Sequence, residues 1–196
     1  MSNATTVLLC GVGGQGTILA ADLLARTALA SNYDVKVSEI HGMSQRGGAV
    51  TTVVRFGTEP VATMVADHGC VDCVVSFETT EALRNLPFVR EGGYLLVADE
   101  DIKPLPVLTG KAGMPENARE KLQAAGASLI PAGPIAEQVA TAKSVNVVLL
   151  GALATRLDFS EEVWKEVISK RVPPKTVEVN LRAFDAGYEF ARKGAK

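Results

Sequence analysis

The chain has 196 residues, of which 47% are hydrophobic and 21% charged, and this composition is typical of a globular domain that buries its own core. Its net charge of −2 without any basic cluster argues against a nucleic-acid-binding protein. No apolar run approaches the roughly 20 residues that cross a bilayer, and no Lys or Arg precedes the first one. We therefore expect a cytoplasmic protein with one domain over residues 1–196.

The first third of the sequence predicts strands around one helix. A short apolar run at residues 6–10 leads straight into glycines, as a buried parallel strand does. A helix rich in Ala and Leu is predicted over residues 17–30, and a second strand over 35–40 completes a strand–helix–strand unit. A third strand is predicted over residues 50–56, with residues 61–65 pairing back onto it as a hairpin.

The rest of the sequence predicts strands that alternate with helices, and then helices alone. Further strands are predicted at residues 71–77, 94–98 and 128–131, with helices at 81–86 and 117–125 and a surface connection at 103–115. Helices are then predicted at residues 145–157, at 161–170 after the N-cap Ser160, and along the apolar stripe of Val177, Leu181, Phe184 and Tyr188. The predicted fold is α/β, a Rossmann-like and mostly parallel sheet flanked by helices, with a β-hairpin insertion and a helical C-terminal third.

The glycine turn after the first strand fits the G-x-G-x-x-G pattern. In such turns the first glycine allows the tight bend, the second lets a ligand approach the backbone, and the third lets helix pack on strand. Free N–H groups at the start of the following helix favour an anion. The predicted cofactor contacts in this turn are Gly11, Gly13, Gly14, Gly16 and Thr17.

Two other interpretations of this turn stay open. It is also compatible with a tight turn that binds no cofactor. Glu39 ends the second predicted strand, where a dinucleotide-binding fold places its ribose-binding acid, so a free-standing NAD- or FAD-binding oxidoreductase is an alternative. Gln15 puts a polar amide where small or apolar residues are commoner, which suits contact with a ligand or a partner subunit.

A second glycine-rich loop follows the second strand and reads His41-Gly42-Met43-Ser44-Gln45-Arg46-Gly47-Gly48. It is predicted at the carboxyl edge of the sheet, beside the first turn, where ligands of open α/β sheets bind. The guanidinium of Arg46 suits a carboxylate or phosphate. Ser44, Gln45 and Arg46 are thus candidate catalytic residues together with Gln15, and Gly47 and Gly48 are candidate cofactor contacts. A solvated surface loop is the alternative.

The three cysteines do not predict a metal site. Cys70 and Cys73 form a C-x-x-C, but no fourth ligand clusters beside them and His68. The pair leads into a strand, whereas a thioredoxin-like dithiol begins a helix. We expect ordinary cysteines here and a small buried side chain at Cys10.

Both glycine segments, followed by Asn-Val-Val-Leu-Leu-Gly-Ala-Leu at residues 146–153, resemble the gamma-domain signature of 2-oxoacid:ferredoxin oxidoreductases. The resemblance covers nearly the whole chain in order. In the pyruvate and oxoglutarate branches the second segment usually resembles Tyr-Gly-x-Glu-x-Arg-Gly-Gly. The His-Gly-Met-Ser-Gln-Arg-Gly-Gly form resembles the indolepyruvate branch.

This resemblance implies a small subunit that is inactive alone and completes the active site of a large alpha subunit. The complex would convert an arylpyruvate such as indolepyruvate and CoA to acyl-CoA and CO₂, and would pass electrons to ferredoxin. Thiamine diphosphate, Mg and 4Fe-4S clusters would belong to the large subunit. The sequence lacks a ferredoxin-type cysteine run, and we expect no cofactor bound by this chain itself. A non-catalytic scaffold subunit is the remaining alternative.

Overall fold

The fold was analysed in a computed structural model that describes residues 4–42 and 48–194. Its strands are β1 (Thr5–Val12), β2 (Asp34–His41), β3 (Ala49–Gly57), β4 (Val71–Ser76), β5 (Val89–Ala98) and β6 (Ser128–Ile130). Its α-helices are α1 (Thr17–Ala30), α2 (Thr79–Asn85), α3 (Leu105–Leu108), α4 (Ala118–Ala124), α5 (Ala132–Val139), α6 (Val145–Ala154), α7 (Glu161–Arg171) and α8 (Val177–Gly194).

The strands form one sheet in the order β2-β3-β1-β4-β5-β6. The pairs β1–β4, β4–β5 and β5–β6 are parallel, whereas β3 is antiparallel to both β1 and β2. Strands β1 and β2 therefore run in the same direction with β3 inserted between them. The predicted α/β class, the mostly parallel sheet and the helical C-terminal third are confirmed.

The predicted partner of β3 in the hairpin is wrong. Residues 61–65 form no strand, and β3 pairs instead with β2, the strand that precedes it. Both edges of β3 are occupied by β1 and β2, so no row of backbone groups is left for a further strand. The segment is held by the Arg55 guanidinium, which donates to the carbonyl oxygens of Thr63 and Val65 at 3.2 Å each.

Hydrophobic residues cover both faces of the sheet. The larger cluster joins one face to α1, α5, α6, α7 and α8, and the smaller cluster joins the other face to α2 and α4. Every residue of α6 from Asn146 to Ala154 is buried, which explains why its sequence is apolar on all sides. Among the described residues, no helix combines the length and the apolar character that a membrane span requires.

Helices α6 and α8 cross at two glycines. A Cβ atom added at Gly151 would overlap the carbonyl oxygen of Phe184, and one added at Gly187 would overlap the carbonyl oxygen of Val148. Each glycine thus faces the backbone of the other helix. Small residues at such a crossing let two helix axes approach more closely than side chains would permit.

Candidate functional site

The carboxyl edge of the sheet brings the two glycine segments together. The turn after β1 joins the end of β4, where Phe77 N donates to Cys10 O at 2.8 Å. It also joins the base of the second loop, where Gly13 N donates to Gly48 O at 3.0 Å. The shared edge that the sequence predicted is therefore present, and it is built by backbone hydrogen bonds.

Gln15 is folded back into the turn. Its Oε1 accepts from Val12 N at 2.7 Å, and its Nε2 donates to Phe77 O at 2.8 Å. Both ends of the amide therefore bind the chain itself and tie the turn to the strand β4 that lies beside it. Its predicted catalytic role stays a prediction, and the geometry assigns Gln15 a positioning role.

The glycines of the turn divide into two groups. Gly11 and Gly16 are packed against side chains: an added Cβ would lie 2.6 Å from Gln15 Oε1 at Gly11, and 2.5 Å from Asn146 Nδ2 at Gly16. Gly13 and Gly14 are exposed. The chain's own packing thus accounts for Gly11 and Gly16, whereas the cofactor contacts predicted for the exposed Gly13 and Gly14 stay predictions.

Helix α1 begins directly after the turn. Its N-cap, Gly16, has a φ of 79° and supplies no side-chain hydrogen bond. Thr17, the first helical residue, is buried, and its hydroxyl has no hydrogen-bond partner among the described residues. The Thr17 hydroxyl is therefore enclosed behind the turn, and the cofactor contact predicted for Thr17 stays a prediction.

The centre of the second loop lies outside the described residues. This applies to Ser44, Gln45, Arg46 and Gly47, so their predicted roles stay predictions. The base of the loop is closed by Gly42 N, which donates to Ala49 O at 2.8 Å, and by the bond from Gly13 to Gly48. The end of the loop at Gly48 therefore lies beside the exposed Gly13 of the first turn, and its start is paired with the first residue of β3.

A cleft of about 590 Å³ opens beside the glycine turn, between the end of β5, helix α5 and the start of α6. Apolar side chains of Leu19, Ile102 and Val145 line part of it. The charged side chains in its wall are Glu100, Glu137 and Lys143. Sequence reasoning missed all three, and Glu137 lies on α5, a helix that was not predicted. An acidic residue two positions beyond a buried strand was the available signal for Glu100.

Two buried carboxyl groups lie behind the turn, at the start of α2. Glu78 caps this helix, and its carboxylate accepts from the backbone N of Thr80 at 2.8 Å and from that of Glu81. Glu81 pairs with Arg84 at 2.6 Å through Oε1, while its Oε2 is buried without a hydrogen-bond partner among the described residues. Burial raises the pKa of both Glu78 and Glu81 above the ordinary value of 4.5.

The stability contribution of Glu81 is expected to fall as the pH rises. Its raised pKa means that the folded state favours the protonated form, so ionisation above about pH 4.5 costs stability. The free energy of unfolding of the wild type, relative to Glu81→Gln, should therefore decrease from pH 4 to pH 7. Urea unfolding followed by the fluorescence of Trp164, the single tryptophan, measures this difference.

Glu162→Gln is the matched control for this prediction. Hydrogen bonds with the backbone and with Ser160 at the start of α7 lower the pKa of Glu162, so ionisation there adds stability. The difference between the wild type and Glu162→Gln should increase over the same pH range. If the stability difference between the wild type and the variant changed with pH in the same direction for both variants, the raised pKa of Glu81 would be contradicted.

The cysteines are placed as the sequence predicted. Cys10 and Cys73 are buried, and burial raises the pKa of each thiol to about 12, so both are neutral. Cys70 is exposed, and the pair leads into β4 and not into a helix. Among the residues that the structure describes, no group of three or more His, Cys, Asp or Glu side chains is arranged to hold a metal ion.

The sheet order argues against the dinucleotide-binding alternative. In a dinucleotide-binding fold the acidic residue on the second strand lies close to the glycine turn. Here β3 separates β1 from β2, which places Glu39 two strand positions from β1, a distance of roughly 10 Å.

Comparisons with known proteins agree on one family. The family model described as pyruvate ferredoxin/flavodoxin oxidoreductase matches residues 6–190. Indolepyruvate oxidoreductase subunits IorB of Thermococcus kodakarensis and Pyrococcus horikoshii are each 40% identical over 194 residues, covering 95% of this chain and 96% of the relative. The keto/oxoacid ferredoxin oxidoreductase gamma subunit of Geobacter sulfurreducens, at 24% identity, superimposes with a TM-score of 0.72 over 96% of this chain and 99% of its own. This structural likeness supports the fold.

Proposed function

Since this chain belongs to the pyruvate ferredoxin/flavodoxin oxidoreductase family, we propose that it is the small subunit of a ferredoxin-dependent enzyme that acts on arylpyruvates such as indolepyruvate. The observation that carries this proposal is the 40% identity, over nearly the full length of both chains, to subunits named for indolepyruvate. The His-Gly-Met-Ser-Gln-Arg-Gly-Gly segment supports the same branch.

The proposed reaction converts a 2-oxoacid and CoA to acyl-CoA and CO₂, with two electrons passing to ferredoxin. Thiamine diphosphate, Mg and the 4Fe-4S clusters are assigned to the large alpha subunit. This assignment is supported by the sequence, which has three cysteines where a cubane cluster needs four thiolates. The chain acts in the cytoplasm as one gamma-type domain over residues 1–196.

The carboxyl edge is the face that we assign to the alpha subunit and its ligands. Three features of this edge support the assignment: the exposed backbone at Gly13 and Gly14, the cleft beside it, and the base of the second loop. Arg46 is proposed to hold a carboxylate or phosphate there, with Ser44 and Gln45 ordering that contact. Gln15 fixes the turn against β4 and so positions the surface.

A co-purification tests the proposed function. The tagged chain is expressed in its own host under anaerobic conditions, and the eluate is assayed for CoA-dependent reduction of a ferredoxin substitute. Indolepyruvate, phenylpyruvate, pyruvate and 2-oxoglutarate are compared as substrates. We expect a large iron–sulfur partner and highest turnover with the aryl substrates, and no activity from this chain alone.

Two results would contradict parts of the proposal. A partnerless chain that binds a dinucleotide would overturn the subunit assignment. Preference for pyruvate or 2-oxoglutarate would overturn the arylpyruvate assignment and leave the subunit assignment standing. In the assembled complex, an Arg46→Ala subunit that leaves kcat and KM unchanged would exclude the role given to Arg46.

A further inference from the structure

A small cavity of about 180 Å³ lies at the opposite, amino edge of the sheet, where Thr5 begins β1. Its walls include Tyr33, Phe56, Asp72, Arg90, Tyr94 and Arg156. The glycine turn and the second loop lie at the other ends of the same strands. This cavity is therefore separate from the candidate functional site.

Arg156 is the cation in this cavity that has no hydrogen-bond or ion-pair partner among the described residues. It follows the end of α6, and its guanidinium carbon lies 4.8 Å from the ring centroid of Tyr94. Its Nε is buried without a hydrogen-bond acceptor, and the described residues provide no ion pair for it. A buried N–H without an acceptor is costly, so such a guanidinium is suited to an acceptor that arrives with a ligand.

The other charges in the cavity are already compensated or lie at its margin. Asp72 accepts from Arg90 Nε at 2.7 Å through Oδ1 and from Thr6 N at 2.7 Å through Oδ2. The Cys73 thiol in the wall is neutral because burial raises its pKa to about 12. Asp158 is exposed. The charge left in the interior of the cavity is the positive charge of Arg156.

Aromatic rings form the apolar part of the wall. Tyr33 packs edge-on against Phe56 and Phe159, with centroid distances of 5.7 and 5.4 Å. The cavity is smaller than the roughly 300–1,000 Å³ that drug-sized ligands occupy, so its ligand is small. A ligand with an anionic group beside Arg156 and an apolar body beside the aromatic rings would fit this wall.

We propose that this cavity binds a small organic acid, with its carboxylate held by Arg156 and its apolar body against Tyr33, Phe56 and Phe159. The site does not depend on the proposed function, since it uses none of the residues at the carboxyl edge. Arginine presents its N–H groups in a planar arrangement that matches a carboxylate, and the guanidinium carbon of Arg156 lies over the Tyr94 ring at the wall of the cavity.

Titration calorimetry of the full chain at constant ionic strength tests this site with benzoate as the probe. We expect saturable binding of benzoate and no binding of benzamide, which has the same shape without the charge. Arg156→Gln should weaken benzoate binding at least about tenfold, the size of effect that a hydrogen bond to a charged group produces. Arg26→Gln, an exposed change on α1, should leave the affinity unchanged.

A second variant keeps the test decisive if Arg156→Gln does not fold. Asp158→Asn removes a negative charge from the margin of the cavity and should tighten benzoate binding by about two- to fivefold. Unchanged affinity in this variant would contradict the proposal. Equal binding of benzamide, or binding of inorganic phosphate without binding of benzoate, would also overturn it.

Discussion

Gly151→Ala is expected to lower the free energy of unfolding by about 3 kcal/mol or more, the upper range for overpacking a closely packed interior. An added Cβ would overlap Phe184 O and would lie 2.9 Å from Tyr188 N, and both atoms belong to the backbone of α8. A backbone cannot rotate aside as a side chain can, so α6 and α8 must separate. Urea unfolding followed by Trp164 fluorescence measures the loss.

Gly187→Ala makes the reciprocal change and should cost a similar amount. Its Cβ would lie 2.7 Å from the carbonyl carbon of Val148. Because separating the helices relieves both contacts, the double variant should cost clearly less than the sum of the single variants. Additive losses would contradict a shared crossing point.

Gly194→Ala is the matched control on α8. Nothing lies within 4 Å of an added Cβ there, so the same chemical change adds helix propensity without overlap. We expect unchanged or slightly increased stability. A loss comparable to that of Gly187→Ala would mean that an added methyl group destabilises α8 away from the crossing as well, and would contradict the overlap with Val148 as the cause.

Local sequence signals predicted the elements but not their pairing. The bounds of α1 were predicted correctly, because the glycines before it and its run of Ala and Leu are properties of neighbouring residues. The pairing of β3 with both β1 and β2 depends on residues far apart in the chain, and the nearby residues 61–65 were mistaken for its partner.

Helix α5 was missed for a local reason. Its start contains Pro131, Gly133 and Pro134, which are typical of turns. Pro is nevertheless tolerated in the first turn of a helix, where its missing N–H leaves no hydrogen bond unmade. One wall of the cleft beside the glycine turn is formed by α5, so its omission hid that cleft from the sequence analysis.

The proximity of the two glycine segments was predicted from the sequence and is present, whereas the roles given to their residues stay predictions. Asn146 opens the third segment of the family resemblance, and its Nδ2 donates to Gly16 O at 3.3 Å, so α6 is attached to the glycine turn. Gln15 was predicted to contact a ligand or a partner subunit. Its acceptor, Phe77 O, lies 62 residues further along the chain, and no local pattern indicates such a contact.

Gln15→Ala is expected to destabilise the fold by about 3 kcal/mol, because it leaves the buried Val12 N–H and the Phe77 carbonyl without their partners. Each unpaired buried group costs about 1–3 kcal/mol. Gln15→Glu should also destabilise the fold, since it keeps the acceptor for Val12 but sets an anionic oxygen against the Phe77 carbonyl. Urea unfolding of the full chain measures both losses.

Gly11→Ala provides the coupled test of this positioning role. Its Cβ would lie 2.6 Å from Gln15 Oε1 and 2.9 Å from Phe77 Cβ, so part of its cost is the collision with the Gln15 amide. Shortening Gln15 to alanine removes that collision, and the double variant should therefore cost less than the sum of the two single changes. If Gln15→Ala instead left the stability unchanged while it abolished turnover of the assembled complex, Gln15 would act on the ligand and not on the turn.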